Sequence, residues 1–228
     1  MINSIVLPKV FRPFECKSLI RLGKQNDGGY LVNSHDVDKS DILISFGIRD
    51  DWSFEKDFSK INDCELVSFD RESQVPLDDQ FYVNHRKMVR SHVDLQDSED
   101  TISIQKILDI RSNKIFLNCD IEGKEYDFFD LLIINSYKFS GICLEVHGMN
   151  ESSNFFNVIN FISKIGLKLV HVHPNNCSIL GKMNVPDVLE LTFTSSDNIL
   201  YNPTLTLPHP LDMENCHGHP DYKINFEN

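Results

Sequence analysis

Basic residues are scarce in this sequence: 22 Lys and Arg stand against 34 Asp and Glu, for a formal net charge of -12. A surface that holds nucleic acid must neutralise phosphates, so this balance argues against a nucleic-acid partner. Long apolar runs are missing as well. No stretch approaches the ~20 residues that a membrane span requires, and no basic-then-apolar signal pattern opens the chain. The six cysteines (Cys16, Cys64, Cys119, Cys143, Cys177 and Cys216) include no C-x-x-C pair. Three sit in or beside apolar runs, which suits reduced, buried thiols, and the cytoplasm is the expected location. There is no G-x-G-x-x-G turn, the usual cradle for a dinucleotide's pyrophosphate. Internal repeats, low-complexity regions and linkers are absent too. The 228 residues therefore suit one domain, 1–228, with 1–40 as an N-terminal extension near the ligand site and 195–228 as a tail.

What the sequence does contain is a series of short apolar runs that end in polar tips. Ile42–Gly47, including Ser45 and Phe46, reads as a buried strand that feeds a tight turn. Asp50 or Asp51 then caps a helix over Trp52–Lys60. An acidic rather than glycine-rich turn favours a cofactor that carries positive charge and no phosphate, such as S-adenosylmethionine. About twenty residues further on, a place suited to gripping a ribose, the second strand 65–69 ends in Asp70. Phe81–Val83 reads as a third strand, Asp94–Asp100 as a solvated loop in reach of an adenine ring, and Thr101–Ile110 as a helix. Upstream, Asp27-Gly28-Gly29-Tyr30 reads either as a plain hairpin turn or as backbone against which a ligand lies.

The sharpest local signal follows the strand 114–119. Asp120 and Glu122 are two apart and share a face if the chain stays extended. Such a pair can bind a metal, hold an ammonium group or take a proton. A covering helix spans 126–134. The strand 141–147 then ends with Glu145 and His147 two apart, and after a helix over 154–165, closed by Gly166, the strand 167–176 carries His171 and His173. Two strand ends that bring histidine to one edge point to a shared site containing His147 and His173. The last strand is 188–193, and the tail, rich in Pro and His, has no regular period.

Together, Asp27-Gly28-Gly29-Tyr30, Ser45-Phe46-Gly47, Phe69-Asp70, Asp120-Ile121-Glu122-Gly123, Glu145-Val146-His147, the segment His171–Asn176 and the segment Pro186–Thr192 resemble the FkbM-type S-adenosylmethionine-dependent methyltransferases. Asp51-Trp52-Ser53-Phe54-Glu55 is similar to a related branch found in animals. The resemblance covers about residues 21–193. It implies an α/β, Rossmann-like class I methyltransferase fold, with a mainly parallel sheet and helices on both faces. It also implies methyl transfer to an oxygen, often on a sugar. Gly28, Gly29, Tyr30, Ser45, Phe46, Gly47 and Asp70 would then hold the cofactor, with Asp120 beside the transferring methyl group. Arg49 departs from the small residue that many members keep there.

The chemistry expected is in-line displacement at the sulfonium, with a small-molecule or sugar hydroxyl as acceptor. His147 or His173 is the candidate base, oriented by Asp120 or Glu122. If a divalent ion takes part, Asp120, Glu145 and His147 are its candidate ligands, and magnesium or manganese the candidate ion. The rival readings are a metal-dependent hydrolase on the same cluster and an inactive binding module. A nicotinamide dehydrogenase ranks below both, for want of phosphate-binding glycines.

Overall fold

The computed structural model describes residues 4–76, 78–109, 114–178, 180–181 and 184–227. In chain order the elements are β1 (Ser4–Leu7), β2 (Leu19–Gly23), β3 (Gly29–Asn33), α1 (Ser34–Asp38), β4 (Ile42–Phe46), α2 (Ser53–Ile61), β5 (Glu65–Phe69), β6 (Arg86–Val89), β7 (His92–Asp94), β8 (Thr101–Ser103), α3 (Ile104–Asp109), β9 (Ile115–Cys119), α4 (Glu125–Ile134), β10 (Phe139–Val146), α5 (Ser152–Lys164), β11 (Lys168–Pro174), β12 (Leu189–Thr194) and β13 (Lys223–Phe226). Seven strands form the main sheet, in the order β6-β5-β4-β9-β10-β12-β11. Strands β6, β5, β4, β9 and β10 pair in parallel, and β12 runs antiparallel between β10 and β11. The sequence expected a mainly parallel α/β sheet, and the chain folds into one.

The period of two sorts each central strand between two cores. Ile42, Ile44 and Phe46 of β4 face one core with residues of α3, α4 and α5. Leu43 faces the other, with Phe54 and Phe58 of α2, Val37 of α1 and Tyr30 of β3. Helices therefore cover both faces. On the second face the row above Leu43 is polar, because the lateral register sets Ser45 beside Ser68 on one side and Asn118 on the other.

Several local expectations are corrected. Phe81–Val83 is not a strand: Tyr82 points its hydroxyl at Ser68, 3.0 Å away, and Phe81 and Tyr82 pack on the second core through their rings. The third strand is instead β6, a charged edge whose Arg and Lys discourage further pairing. Thr101–Ser103 pairs with β7, so the helix is confined to Ile104–Asp109; Ile110, the last residue of the expected helix, lies outside the described residues. The N-terminal extension and the tail meet as the parallel pair β1–β13. Their paired residues are more than 200 positions apart in the sequence, beyond the reach of any local period.

The cysteine expectation is corrected as well. Cys16, Cys64, Cys119 and Cys143 are free, whereas Cys177 and Cys216 form a disulfide across a sequence separation of 39. Spacing alone did not single out this pair. Asn176 reinforces it, accepting from the Cys216 N–H at 2.7 Å.

Candidate functional site

The carboxyl ends of β4, β5 and β9 open into a cleft of about 720 Å³. Its position follows from the topology: β4 and β9 are neighbours, and the helices that follow them pack on opposite faces of the sheet. Gly47 sets the closeness of the two strand ends. A Cβ there would lie 1.6 Å from the Asp120 carbonyl oxygen, and its φ of +76° is one that only glycine adopts freely. Gly28, at the tip of the β2–β3 hairpin, similarly leaves room for the Asp51 carboxylate, which a Cβ would meet at 2.7 Å. Asp51 in turn accepts from the Ser53 N–H at 3.0 Å and so braces the turn that leads into α2.

Asp70 holds the turn after β4. One oxygen accepts from the N–H groups of Ile48 and Arg49 at 3.0 and 2.6 Å, and the other from Glu72 at 2.7 Å. Arg49, with φ of +38°, is kept in this unfavourable conformation by that bond. A carboxylate has about four acceptor positions, so one remains for a ligand hydroxyl.

Nine Asp or Glu side chains line the cleft against three Lys or Arg. The closest packed acids stand on one lateral row. Glu145 lies opposite Glu190 in the β10–β12 pair, Glu190 opposite His173, and Asp120 one residue past the Cys119–Leu144 pair. Like charges facing one another across strands are unfavourable, and the row meets this by holding protons. Tyr30 places its hydroxyl 2.8 Å from Glu145 and 3.3 Å from Asp120. Burial first, then the Asp120 and Glu190 charges, push Glu145 well above the usual carboxylate range. Burial likewise dominates at Asp120, where Glu122 and Glu125 add to it and His147 opposes, leaving its pKa at about 7.

Burial acts the other way on His147, yet Glu125, hydrogen-bonded to Nδ1 at 3.0 Å, and the Asp120 and Glu145 charges outweigh it and raise the imidazole to about 9. Glu125, fully buried, also accepts from the N–H groups of Ile121 and Gly123 at 3.2 and 3.1 Å. It holds the whole Asp120–Gly123 turn and was missed in the sequence, where its only signal is a third acid at the start of a helix. The chain is not extended there, since Glu122 has a φ of +56°. Even so, the turn brings both Asp120 and Glu122 to His147 Nε2, at 3.7 and 3.5 Å.

Other expected residues fall elsewhere. Gly28, Tyr30, Gly47, Asp70, Asp120 and Glu122 line the cleft, but Gly29, Ser45 and Phe46 are buried outside its lining. Phe46 points into the first core, against Phe69 and Phe128. His173 is 1% exposed with its ring nitrogens 3.2 Å from Glu190 and 3.2 Å from Asp221, and His171 faces Asp212 at 2.8 Å. Both histidines tie down the C-terminal segment and neither reaches the cleft.

The metal reading was tested on the donors themselves. Among the described residues, Asp120, Glu122 and His147 bring ligand atoms within 4.8 Å of one another, while Glu145 is engaged by Tyr30. The acids around His147 raise its imidazole to about 9, so a cation would have to displace a proton from it. Without an ion the cluster is expected to hold that proton. Magnesium, manganese or a chelator is expected to leave the thermal stability and the ligand affinity of the protein unchanged; a metal-dependent rise in melting temperature would overturn this assignment.

No family model and no curated protein matches the chain. Solved structures similar to it include a chain of a fibrillarin/Nop5p complex, with a TM-score of 0.44 and 12% identity over 79% of this chain and 91% of that one. A fibrillarin pre-rRNA processing protein from Methanococcus jannaschii gives a TM-score of 0.40 at 12% identity, covering 84% and 86%. A mutant of the 16S rRNA (adenine(1408)-N(1))-methyltransferase from Catenulisporales acidiphilia gives 0.39 at 8%, covering 78% and 99%. At these values the likeness is one of chain path alone.

Proposed function

We propose that this chain is an S-adenosylmethionine-dependent methyltransferase acting on a hydroxyl of a small molecule or sugar. The observation that carries the reading is the acid-walled cleft at the ends of β4, β5 and β9, with no glycine-rich phosphate turn. It suits a ligand with a ribose and positive charge rather than a dinucleotide. The residues fit such a ligand: Gly47 and Gly28 leave open the space a Cβ would fill, and Asp70 keeps an acceptor position free. Phe69 and Val93, beside Ser91 and Asp94, supply an apolar wall with polar edges of the kind an adenine needs.

The cofactor, when bound, supplies an activated methyl group, so the protein's task is to place the acceptor and take its proton. The roles of base and orienting group are exchanged relative to the sequence expectation. His147 already holds its proton at neutral pH and cannot take another, whereas Asp120 is half-ionised near pH 7. Asp120 is therefore the base, His147 steadies its charge, and Tyr30 fixes its position. The acid lining and the net charge of -12 disfavour phosphorylated acceptors, nucleic acid among them. The disulfide favours an oxidising compartment over the cytoplasm.

Calorimetric titration with S-adenosylmethionine and S-adenosylhomocysteine tests the reading. Micromolar binding, about -8 kcal/mol, is expected. Failure of a folded protein to bind either ligand would sink it and leave a binding module of the same fold.

A further inference from the structure

We propose that Glu55, which the sequence reading left without a role, receives the ammonium group of the cofactor's amino-acid portion. This deepens the methyltransferase reading and rests on it. Glu55 sits in the first turn of α2, is 1% exposed, and lines the cleft. By distance and angle neither of its carboxylate oxygens has a hydrogen-bond partner among the described residues, while Ser45 and Asn118 lie close enough to favour its charged form.

A glutamate three places into a helix ordinarily turns back to cap the first turn. Here Glu55 makes no such bond among the described residues, and the first N–H of the helix, that of Ser53, is taken by Asp51 at 3.0 Å. Buried polar groups are almost always paired, because an unpaired one keeps its full desolvation cost. Burial indeed raises the Glu55 carboxyl to about 7, even with Ser45 and Asn118 favouring its charge. The walls around it are aromatic: Phe54 and Tyr30 meet edge to face, with centroids 5.9 Å apart, and both line the cleft. An anion at the floor of an aromatic-walled recess is a receptor for a compact cation, and rings favour the same charge through their negative faces. On the methyltransferase reading the sulfonium would lie beside Asp120 and the ribose beside Asp70. That leaves the ammonium as the cationic group in need of a partner, and the turn that opens α2 follows β4, which lies between the strands β5 and β9 that lead to those two acids.

The experiment compares wild type and Glu55→Gln by calorimetry with two ligands. S-adenosylhomocysteine carries the amino-acid portion; 5′-methylthioadenosine has the same nucleoside without it. Glu55→Gln is expected to weaken S-adenosylhomocysteine by roughly 10- to 100-fold, the worth of a charge-assisted bond, and to leave 5′-methylthioadenosine within about twofold. An unchanged ratio of the two affinities overturns the proposal and spares the methyltransferase reading. Equal weakening of both ligands does the same. If wild type binds neither ligand, both fall together. Should Glu55→Gln not fold, Glu55→Asp withdraws the charge by one methylene, and the same selective loss is expected from it.

Discussion

Asp120→Asn is expected to lower methyl transfer by about 10²- to 10⁴-fold, the usual contribution of a positioned base, while S-adenosylhomocysteine affinity stays within about threefold. The substitution keeps the shape of the side chain and its contact with Tyr30 but removes the atom that takes the proton. His147→Gln is expected to lower transfer less, because it removes only the charge that steadies Asp120. The pH profile separates the two roles. Transfer rises as Asp120 ionises through about 7 and falls as His147 loses its proton through about 9, with both values belonging to the coupled cluster. In His147→Gln the falling limb should vanish and the rising limb move upward, since the opposing positive charge is gone. A profile unchanged in His147→Gln, or full turnover in Asp120→Asn, would remove these residues from the chemistry.

The same groups fix a sign for stability. The folded pKa of Asp120 lies above the ordinary 3.8, so the native state loses stability as pH rises from there to about 7. His147 also lies above its ordinary 6.5; its contribution is full below that value and is lost as pH rises through about 9. Both effects run the same way.

Reducing the Cys177–Cys216 bond is expected to be the largest single loss of stability available without touching the core. It closes a separation of 39 residues, and the loop-entropy account gives about 4 kcal/mol for a loop of that order. In a chain of this size that corresponds to a melting temperature lower by about 8–15 °C. The effect should reach the cleft. Asn215, next to Cys216 in the sequence, donates to Glu190 at 2.7 Å and to the cleft residue Asp27 at 3.2 Å. Calorimetric scans with and without reductant measure the first effect, and S-adenosylhomocysteine affinity under the same conditions measures the second. Thiol titration of unreduced, denatured protein should find four thiols, those of Cys16, Cys64, Cys119 and Cys143. Six would show that the bond is not formed and would restore the reducing compartment that the cysteine spacing implied.

Much of the frame is legible in the sequence because it is written at short range. The strands at 42–46, 65–69 and 115–119 are short, largely apolar runs, each followed by the glycine or acid that marks the carboxyl end of a strand. Helices expected over 52–60, 126–134 and 154–165 form over 53–61, 125–134 and 152–164, and Gly166 stops the last of them, with a φ of +76°. Such features need only neighbours within a few positions. The candidate acids Asp70, Asp120 and Glu122 were visible for the same reason.

The tertiary structure alone decided how those residues relate to one another. Lateral register, set by pairing between distant strands, placed Glu145 opposite Glu190 and Glu190 opposite His173. The same packing buried Glu55 with no hydrogen-bond partner among the described residues and moved His173 out of the cleft. Burial and the proximity of charges also raised Asp120 and His147 above their ordinary values. A pKa is the difference in free energy between two charge states in one particular surrounding. A residue's type and spacing fix what it can do, and only its neighbours in space fix which proton it holds.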